Sequence, residues 1–199
     1  MTIFAYLDSA LLMALLLTSL SKHIKVICNL QVVAIIVGLL LPAVLISDTP
    51  LYQYIRAGLG DLSVSLKIIL LVILYQRGSQ SVVIQKSEWK MIIFGAAITG
   101  LLFYPFALGV TMFDPYAFGY AANNFVLVLL VLLGLSIWKK LWLLTAIICL
   151  SLVGYYGAVL ESSNLWDYVL DPVLWLYALA VSCARLCKKV LPNTKPAQI

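Results

Sequence analysis

Three charged residues, Arg56, Asp61 and Lys67, lie within twelve positions at the start of an apolar run. A charged side chain in hydrocarbon costs at least about 2.5–3.5 kcal/mol, so such residues usually have partners and often serve a function. On one helix, Asp61 and Lys67 would point about 120° apart, so they do not pair directly. By depth, Asp8 is the best partner for Lys67. We predict that Asp61, Asp8 and Lys67 form a catalytic group or a relay, with a structural Asp8–Lys67 ion pair as the equal alternative.

Other polar and aromatic residues are candidates for binding a substrate. A guanidinium can bind a phosphate or carboxylate with two parallel hydrogen bonds, and aromatic rings can hold a sugar or a lipid head group. Carboxylates could bind Mg²⁺, Mn²⁺ or Ca²⁺, which prefer oxygen ligands, although the sequence makes no cofactor certain. The predicted metal ligands, if there are any, are Asp61, Asp114 and Asp167. The predicted substrate-binding residues are Arg56, Asp114, Glu161, Asp167, Tyr54 and Trp166.

Helix capping is the competing explanation for several of these acids. Asp114 and Asp171 each precede a proline, the arrangement of a helix N-cap followed by Pro at the first helical position. Asp167 fits the third position of a capping box that begins at Asn164. Capping does not explain Asp8 and Asp61 in the same way, because both are predicted to lie within membrane helices.

The residues Gly58-Leu-Gly60-Asp61 match the GxGD signature and so resemble the intramembrane aspartyl proteases and the prepilin peptidases. This resemblance implies a second carboxylate that shares a proton with Asp61, and Asp8 could supply it. It covers four residues. Leu7-Asp8 replaces the Tyr-Asp pair of the presenilin-like group, whose Pro-Ala-Leu motif is also missing here. Ser63 replaces the lysine of the prepilin peptidases, and we assign the chain to no family.

Composition identifies an integral membrane protein. The chain is 64% hydrophobic and 11% charged, whereas a soluble domain is about half apolar and about a quarter charged. The net charge of +5 comes from short basic clusters between apolar runs, which indicates membrane topology and lipid contact but not nucleic-acid binding. The single histidine, His23, excludes zinc hydrolases with several histidine ligands and excludes Ser-His-Asp chemistry on the outer face.

The apolar runs predict an all-α fold, a bundle of seven transmembrane helices that forms one transmembrane domain over residues 1–199. The predicted helices cover residues 3–21, 26–46, 57–76, 91–112, 118–138, 141–160 and 172–187. Alternate connections are basic, with Lys22 and Lys25, then Arg77, Lys86 and Lys90, then Lys139 and Lys140, then Lys188, Lys189 and Lys195. The positive-inside rule therefore places the N-terminus outside and the C-terminus in the cytoplasm, with short interfacial helices in the outer loops.

With this topology, seven of the eight acidic residues lie at the outer face: Asp8, Asp48, Asp61, Asp114, Glu161, Asp167 and Asp171. Three functions remain open. The first is an enzyme acting at the outer interface on a lipid-linked phosphate or glycan. The second is a non-catalytic subunit that anchors or regulates a membrane or periplasmic partner protein. The third is a proton-coupled transporter using Asp8, Asp61 and Lys67. The expected partners include membrane lipids, and the expected location is a bacterial inner membrane.

Overall fold

The computed structural model describes residues 2–21, 30–120 and 122–190. Of these residues 78% are helical, in nine α-helices, which confirms the predicted all-α class. Two short turns of 3-10 helix, Leu41–Ala43 and Tyr116–Gly119, and one hairpin of two-residue strands, β1 (Leu45–Ile46) and β2 (Thr49–Pro50), complete the secondary structure of these ranges. The helices are α1 (Thr2–Ser21), α2 (Leu30–Leu40), α3 (Leu51–Leu59), α4 (Val64–Ser79), α5 (Lys86–Ala107), α6 (Ala122–Trp138), α7 (Trp142–Tyr156), α8 (Trp166–Val169) and α9 (Pro172–Val190).

Helix α4 lies at the centre and packs against α1 on one side and α7 on the other. Outside these, α2 packs on α1, α6 packs on α7, and α5 pairs with α9. The main core joins Leu11 of α1, Leu66 and Ile69 of α4, and Ile147 of α7, all buried. Because α4 contacts both neighbours, any group at its first turn is held between helices that are far apart in sequence.

Close backbone approach at a glycine fixes two of these pairs. A Cβ atom on Gly38 would overlap the backbone of Ala14, so α1 and α2 touch main chain to main chain. A Cβ on Gly100 would overlap the indole of Trp175, which therefore lies directly on α5. Small residues at such contacts are typical of helix pairs in membranes.

The connections gather at two ends of the bundle. Residues 44–63, 108–120 and 157–171 contact one another at the end predicted to face outside, which we call the outer end. Residues 76–90 contact the last turn of α1, and Glu88 contacts the start of α7, at the opposite, inner end. Segments that are distant in sequence therefore meet at each end of the bundle.

Two described helices, Ile3–Ser21 and Lys86–Ala107, are long and apolar enough to cross a membrane. The apolar segments Leu30–Ala43, Ala122–Trp138 and Trp142–Tyr156 are shorter, so the seven-span bundle is not confirmed. The predicted helix 57–76 is divided by a break at residues 60–63, and the predicted helix 118–138 by the end of a 3-10 turn. Residues 26–29 of the second predicted helix lie outside the described residues. Helix α9 continues through Lys188 and Lys189, beyond its predicted end.

Candidate functional site

The break between α3 and α4 positions Asp61. Gly60 ends α3 with a φ of 72°, a conformation that glycine adopts without strain, and its N–H donates to the carbonyl of Arg56 at 2.8 Å. The Ser63 hydroxyl then caps α4 by accepting from the N–H of Leu66 at 3.1 Å. Asp61 therefore lies between two helices, and the prediction that it lies within a membrane helix is wrong because helix 57–76 does not form.

Two buried carboxylates hold this break in place. Asp8 of α1 accepts a hydrogen bond from the N–H of Leu62 at 3.0 Å through Oδ2, and Asp171 accepts one from the N–H of Ser63 at 2.8 Å. Both acids are at least 95% buried. Asp171 also caps α9, because its Oδ1 accepts from the N–H of Val173 at 2.8 Å. Three segments that are distant in sequence therefore meet at the start of α4, and capping explains part of the role of Asp171, whereas Asp8 holds the backbone before α4.

Lys67 and Asp8 form the buried ion pair that is one of the predicted alternatives, with 3.1 Å between Nζ and Oδ1. The side chains of Lys67 and Asp8 are 8% and 6% exposed. Neither Lys67 Nζ nor Asp8 Oδ1 makes a hydrogen bond of normal geometry to any residue in the described ranges, so charge attraction dominates the contact. The Phe4 ring lies beside the ammonium, with its centroid 5.8 Å from Nζ.

Arg56 brings Asp61 and Glu161 together at the outer surface. Its Nε donates to Asp61 Oδ1 at 2.8 Å and its Nη2 to Asp61 Oδ2 at 3.1 Å, a bidentate pair. Nη2 also donates to Glu161 Oε1. Its hydrogen bonds to Glu161 and then to Asp61 raise the pKa of the Arg56 guanidinium above its usual value. Two carboxylates and one guanidinium leave this cluster with a charge of −1.

Two small cavities open beside this cluster, with Asp61 and Leu160 lining both. The first has a volume of about 210 Å³ and the second about 250 Å³. We call the pair the outer cleft. Asp8 and Lys67 line neither cavity, and both are buried. The first cavity is lined by Phe4, Arg56, Asp61, Ala158, Val159, Leu160 and Glu161, and the second by Leu59, Asp61, Ser63, Leu160, Ser162, Asp167, Leu170, Asp171 and Pro172.

Asp167 and Trp166 tie the last outer loop to the preceding one. The Tyr116 hydroxyl donates to Asp167 Oδ2 at 2.9 Å, and the Ser162 hydroxyl donates to the same oxygen. Burial, and then the hydrogen bond to Asp167, raise the pKa of the Tyr116 phenol above its usual value. Trp166 Nε1 donates to the carbonyl of Pro115 at 3.0 Å. Of the predicted binding residues Asp167 and Trp166, only Asp167 lines the outer cleft.

Asn164 completes this contact between loops. Its Oδ1 accepts from the N–H of Trp166 at 2.9 Å, and its Nδ2 donates to the carbonyl of Tyr116 at 2.9 Å. A Cβ on Gly119 would overlap this buried side chain, so only glycine leaves room for it. The predicted capping box is wrong, because Leu165 is the N-cap of α8, the Asn164 side chain forms a turn bond before it, and Asp167 bonds to Tyr116 and Ser162.

Two predicted binding residues lie away from the outer cleft. The Tyr54 hydroxyl donates to the carbonyl of Ile46 at 3.2 Å and holds α3 against the hairpin. Asp114 accepts from the N–H of Tyr116 at 2.8 Å, a turn bond, but it is not the predicted N-cap, because Pro115 takes that position before the 3-10 turn. The structure adds Ser63, Ser162 and Asp171 to the cleft. Neighbouring prolines and serines indicate turns at these positions, but nothing in the sequence shows that the turns share a cavity.

In the part of the chain that the structure describes, no three side chains of Asp, Glu, His or Cys are grouped closely enough to hold a metal ion. Asp61, Asp114 and Asp167 therefore do not form a shared ligand set there. A bound divalent cation stays a prediction.

Comparison with protein-family models, with curated proteins and with solved structures finds no match to this chain. Support for a function therefore comes from the geometry of the outer cleft and of the helices that form it.

Proposed function

We propose that the chain is a seven-span protein of a bacterial inner membrane, with its N-terminus outside and its C-terminus in the cytoplasm. The crossing segments are α1, α2 with its following turn, α4, α5, α6, α7 and α9, while α3 and α8 lie in the outer interface. The alternation of basic connections supports this orientation.

Exposed apolar side chains support burial of these helices in lipid. On α6, Leu127 and Val131 are 61% and 64% exposed, and Leu129 and Ser136 are its only buried side chains among the described residues. Exposing apolar surface to water costs about 25 cal/mol per Å², and a soluble helix normally turns one apolar face inward. A helix whose exposed faces are apolar is therefore more stable when lipid covers those faces than when water does.

Labelling of introduced cysteines tests the topology. In a variant whose four native cysteines are replaced by serine, Asp48→Cys is expected to react with a membrane-impermeant thiol reagent in intact cells. Lys90→Cys is expected to react only after the membrane is permeabilised. Reaction of both positions in intact cells would contradict the proposed orientation.

The outer cleft binds the polar head of a lipid-linked glycan in this proposal. The observation that carries it is the position of Asp61, which lines both cavities and forms a bidentate pair with Arg56. Carboxylates accept hydrogen bonds from sugar hydroxyls, and Arg56 Nη1, which takes part in none of the bonds to the two acids, supplies donors beside them. A phosphate fits this cluster less well than a glycan, because two carboxylates already occupy the guanidinium and give the cluster a net charge of −1.

Asp61 is the residue that would act on such a substrate. It alone among the predicted catalytic residues lines the cavities, whereas Asp8 holds the backbone of Leu62 and Lys67 pairs with Asp8. Asp8 and Lys67 therefore act as positioning residues in this proposal. The predicted proton-coupled transporter gains no comparable support, because two members of its relay line neither cavity.

Co-purification of lipids tests this proposal. Mass spectrometry of protein purified in mild detergent is expected to find a glycolipid on the wild-type chain, and none on Asp61→Asn. Asp48→Asn is the matched control, since it removes an exposed outer carboxylate that lines neither cavity. Equal amounts on all three proteins, or none on any, would overturn the proposal.

A non-catalytic subunit is the second candidate, and a specific observation favours it. Among the described residues, every acidic side chain except Asp48 accepts a hydrogen bond or forms an ion pair. Each of these acids therefore has a structural role that does not require catalysis. The connection between α5 and α6 exposes Val110, Met112 and Phe113 at the outer end, where a partner could cover them.

Photo-crosslinking separates the two candidates. A crosslinking amino acid at Met112 is expected to give a specific protein adduct if the chain is a subunit, while one at the lipid-facing Val131 is not. If position 112 captures only lipid or a second copy of this chain, the subunit proposal fails.

A further inference from the structure

A cavity of about 520 Å³ opens at the inner end, far from the outer cleft. Its walls come from the start of α2, the last turns of α4 and the first turn of α5, together with the connection between α4 and α5. We call it the inner cavity. It is lined by Gln31, Ile73, Gln76, Arg77, Gln80, Ile84, Lys86 and Trp89.

The charges on these walls are all positive. Arg77 and Lys86 line the inner cavity, and no carboxylate of the described residues does. Glu88, the acid closest in sequence, is 4% exposed and its Oε1 accepts from the N–H groups of Leu143 at 2.8 Å and Leu144 at 3.1 Å. An anion in the inner cavity would therefore meet two cations and no lining side chain of its own sign.

The polar groups on the walls are biased towards donors. Gln76 Oε1 accepts from the backbone N–H groups of Val83 and Ile84, both at 2.7 Å, so its amide N–H₂ is the group left to bind a ligand. The indole N–H of Trp89 can only donate. This arrangement suits a ligand that carries several acceptor oxygens, such as a phosphate.

Arg77 is fixed in position by α1. Its Nη1 donates to the carbonyl of Leu15 at 3.0 Å and to the hydroxyls of Thr18 and Ser19. These three bonds use one nitrogen, which leaves the N–H groups of Nε and Nη2 outside them. Holding the guanidinium before a ligand arrives lowers the entropy lost on binding.

The walls are also partly apolar, through Ile73, Ile84 and the ring of Trp89. A volume of about 520 Å³ is within the usual range for small-molecule sites. Basic pockets between helices on the cytoplasmic side commonly hold the heads of anionic lipids. From this geometry we infer that the inner cavity binds a phosphate-bearing anion, supplied by an anionic lipid head or by free phosphate. The inference does not depend on what the outer cleft binds.

Titration of the purified full-length protein in detergent tests the inference. Short-chain phosphatidylglycerol, short-chain phosphatidylcholine and inorganic phosphate are added separately, and the midpoint of thermal unfolding is measured. Lys86→Gln removes a positive charge from the wall of the inner cavity, and Gln31→Leu removes a hydrogen-bonding group from it. Lys90→Gln is the matched control, because Lys90 is an exposed lysine on the same helix that does not line the inner cavity.

We expect phosphatidylglycerol to raise the midpoint saturably and phosphatidylcholine to leave it unchanged. Lys86→Gln should raise the half-saturating concentration about tenfold, as loss of a charge-assisted hydrogen bond predicts, and Gln31→Leu should raise it to a smaller extent. Lys90→Gln should change it less than about twofold, because its charge is exposed and screened.

If only phosphatidylglycerol raises the midpoint, the inner cavity binds a lipid head group. If inorganic phosphate also raises the midpoint saturably, the inner cavity binds the phosphate group itself. Equal responses to phosphatidylglycerol and phosphatidylcholine, or equal losses in Lys86→Gln and Lys90→Gln, would overturn the inference. If no ligand shifts the midpoint of the wild-type protein, the inference is also wrong.

Discussion

The outer and inner ends of this helix bundle differ in how their charged groups are used. At the outer end, Asp8, Asp61, Asp114, Glu161, Asp167 and Asp171 are all bonded within the chain, mostly to backbone N–H groups or to one guanidinium. At the inner end, the exposed Lys86 and Lys90 form no such contacts among the described residues, and a donor-lined cavity remains open.

The difference follows from the lengths and chemistry of the side chains. A carboxylate is short and accepts hydrogen bonds, so it satisfies the free N–H groups at helix starts and can be buried there. Lysine is long and donates, so it reaches the membrane interface from a helix end. Glu88 supports this explanation, because the one acid at the inner end is also buried against the start of a helix, α7.

Removing one partner of the buried Asp8–Lys67 pair is expected to have the largest effect. Asp8→Asn should lower the free energy of unfolding by about 3–5 kcal/mol, because it leaves the Lys67 charge buried without its counter-ion. The double variant Asp8→Asn/Lys67→Met should recover most of that loss. Chemical unfolding of the four proteins in micelles measures the coupling, and additive losses would show that the pair does not act as a unit.

Truncation of Asp171 should cost less. Asp171→Ala leaves the N–H of Ser63 unsatisfied and removes the cap of α9, a combined loss of about 2–4 kcal/mol. Glu88→Ala at the inner end should cost a similar amount, since both acids hold helix starts. Thermal unfolding compares them with Asp48→Ala, which should change stability by less than about 0.5 kcal/mol. A negligible effect of Glu88→Ala would contradict the explanation that buried carboxylates stabilise helix starts at both ends.

Gly119→Ala should disturb the contact between the outer loops. The added methyl group overlaps Asn164, so we expect a loss of about 1–3 kcal/mol, the usual cost of overpacking. Gly134→Ala is the matched control, because a Cβ on that glycine in α6 meets open space. Limited proteolysis of the outer loops should rise in Gly119→Ala only, and equal sensitivity in both variants would mean that the loops are not docked.

Glu161→Gln should have the smallest effect on stability. Its ion pair with Arg56 is exposed, with the Glu161 side chain 47% accessible, and exposed pairs contribute less than about 1 kcal/mol. Lys86→Gln at the inner end should be equally mild. Unfolding at low and high salt measures both, and the effect of Glu161→Gln should shrink as salt is added. A loss that is large and independent of salt would show that the Arg56 cluster is part of the buried structure.

Much of the helical content and the partnership of Asp8 with Lys67 could be predicted from the sequence. Apolar composition determines that the segments are helical, and the cost of a buried charge requires a carboxylate near Lys67. The position of Asp61 could not be predicted in this way. Gly60 and Ser63 are local signals of a helix end and a helix start, but a helix that begins after them is short for a membrane span, so residues 57–76 are predicted as one helix.

By itself, the sequence determined the helical class, the apolar surface and the segregation of acidic from basic residues, because these depend on composition and order alone. Only the tertiary structure decided which residues form the outer cleft and the inner cavity. Asp61, Leu160 and Asp171 meet because α4 packs between α1 and α7 and the outer loops dock on one another. Contacts between distant segments depend on that packing, which no local pattern of residues encodes.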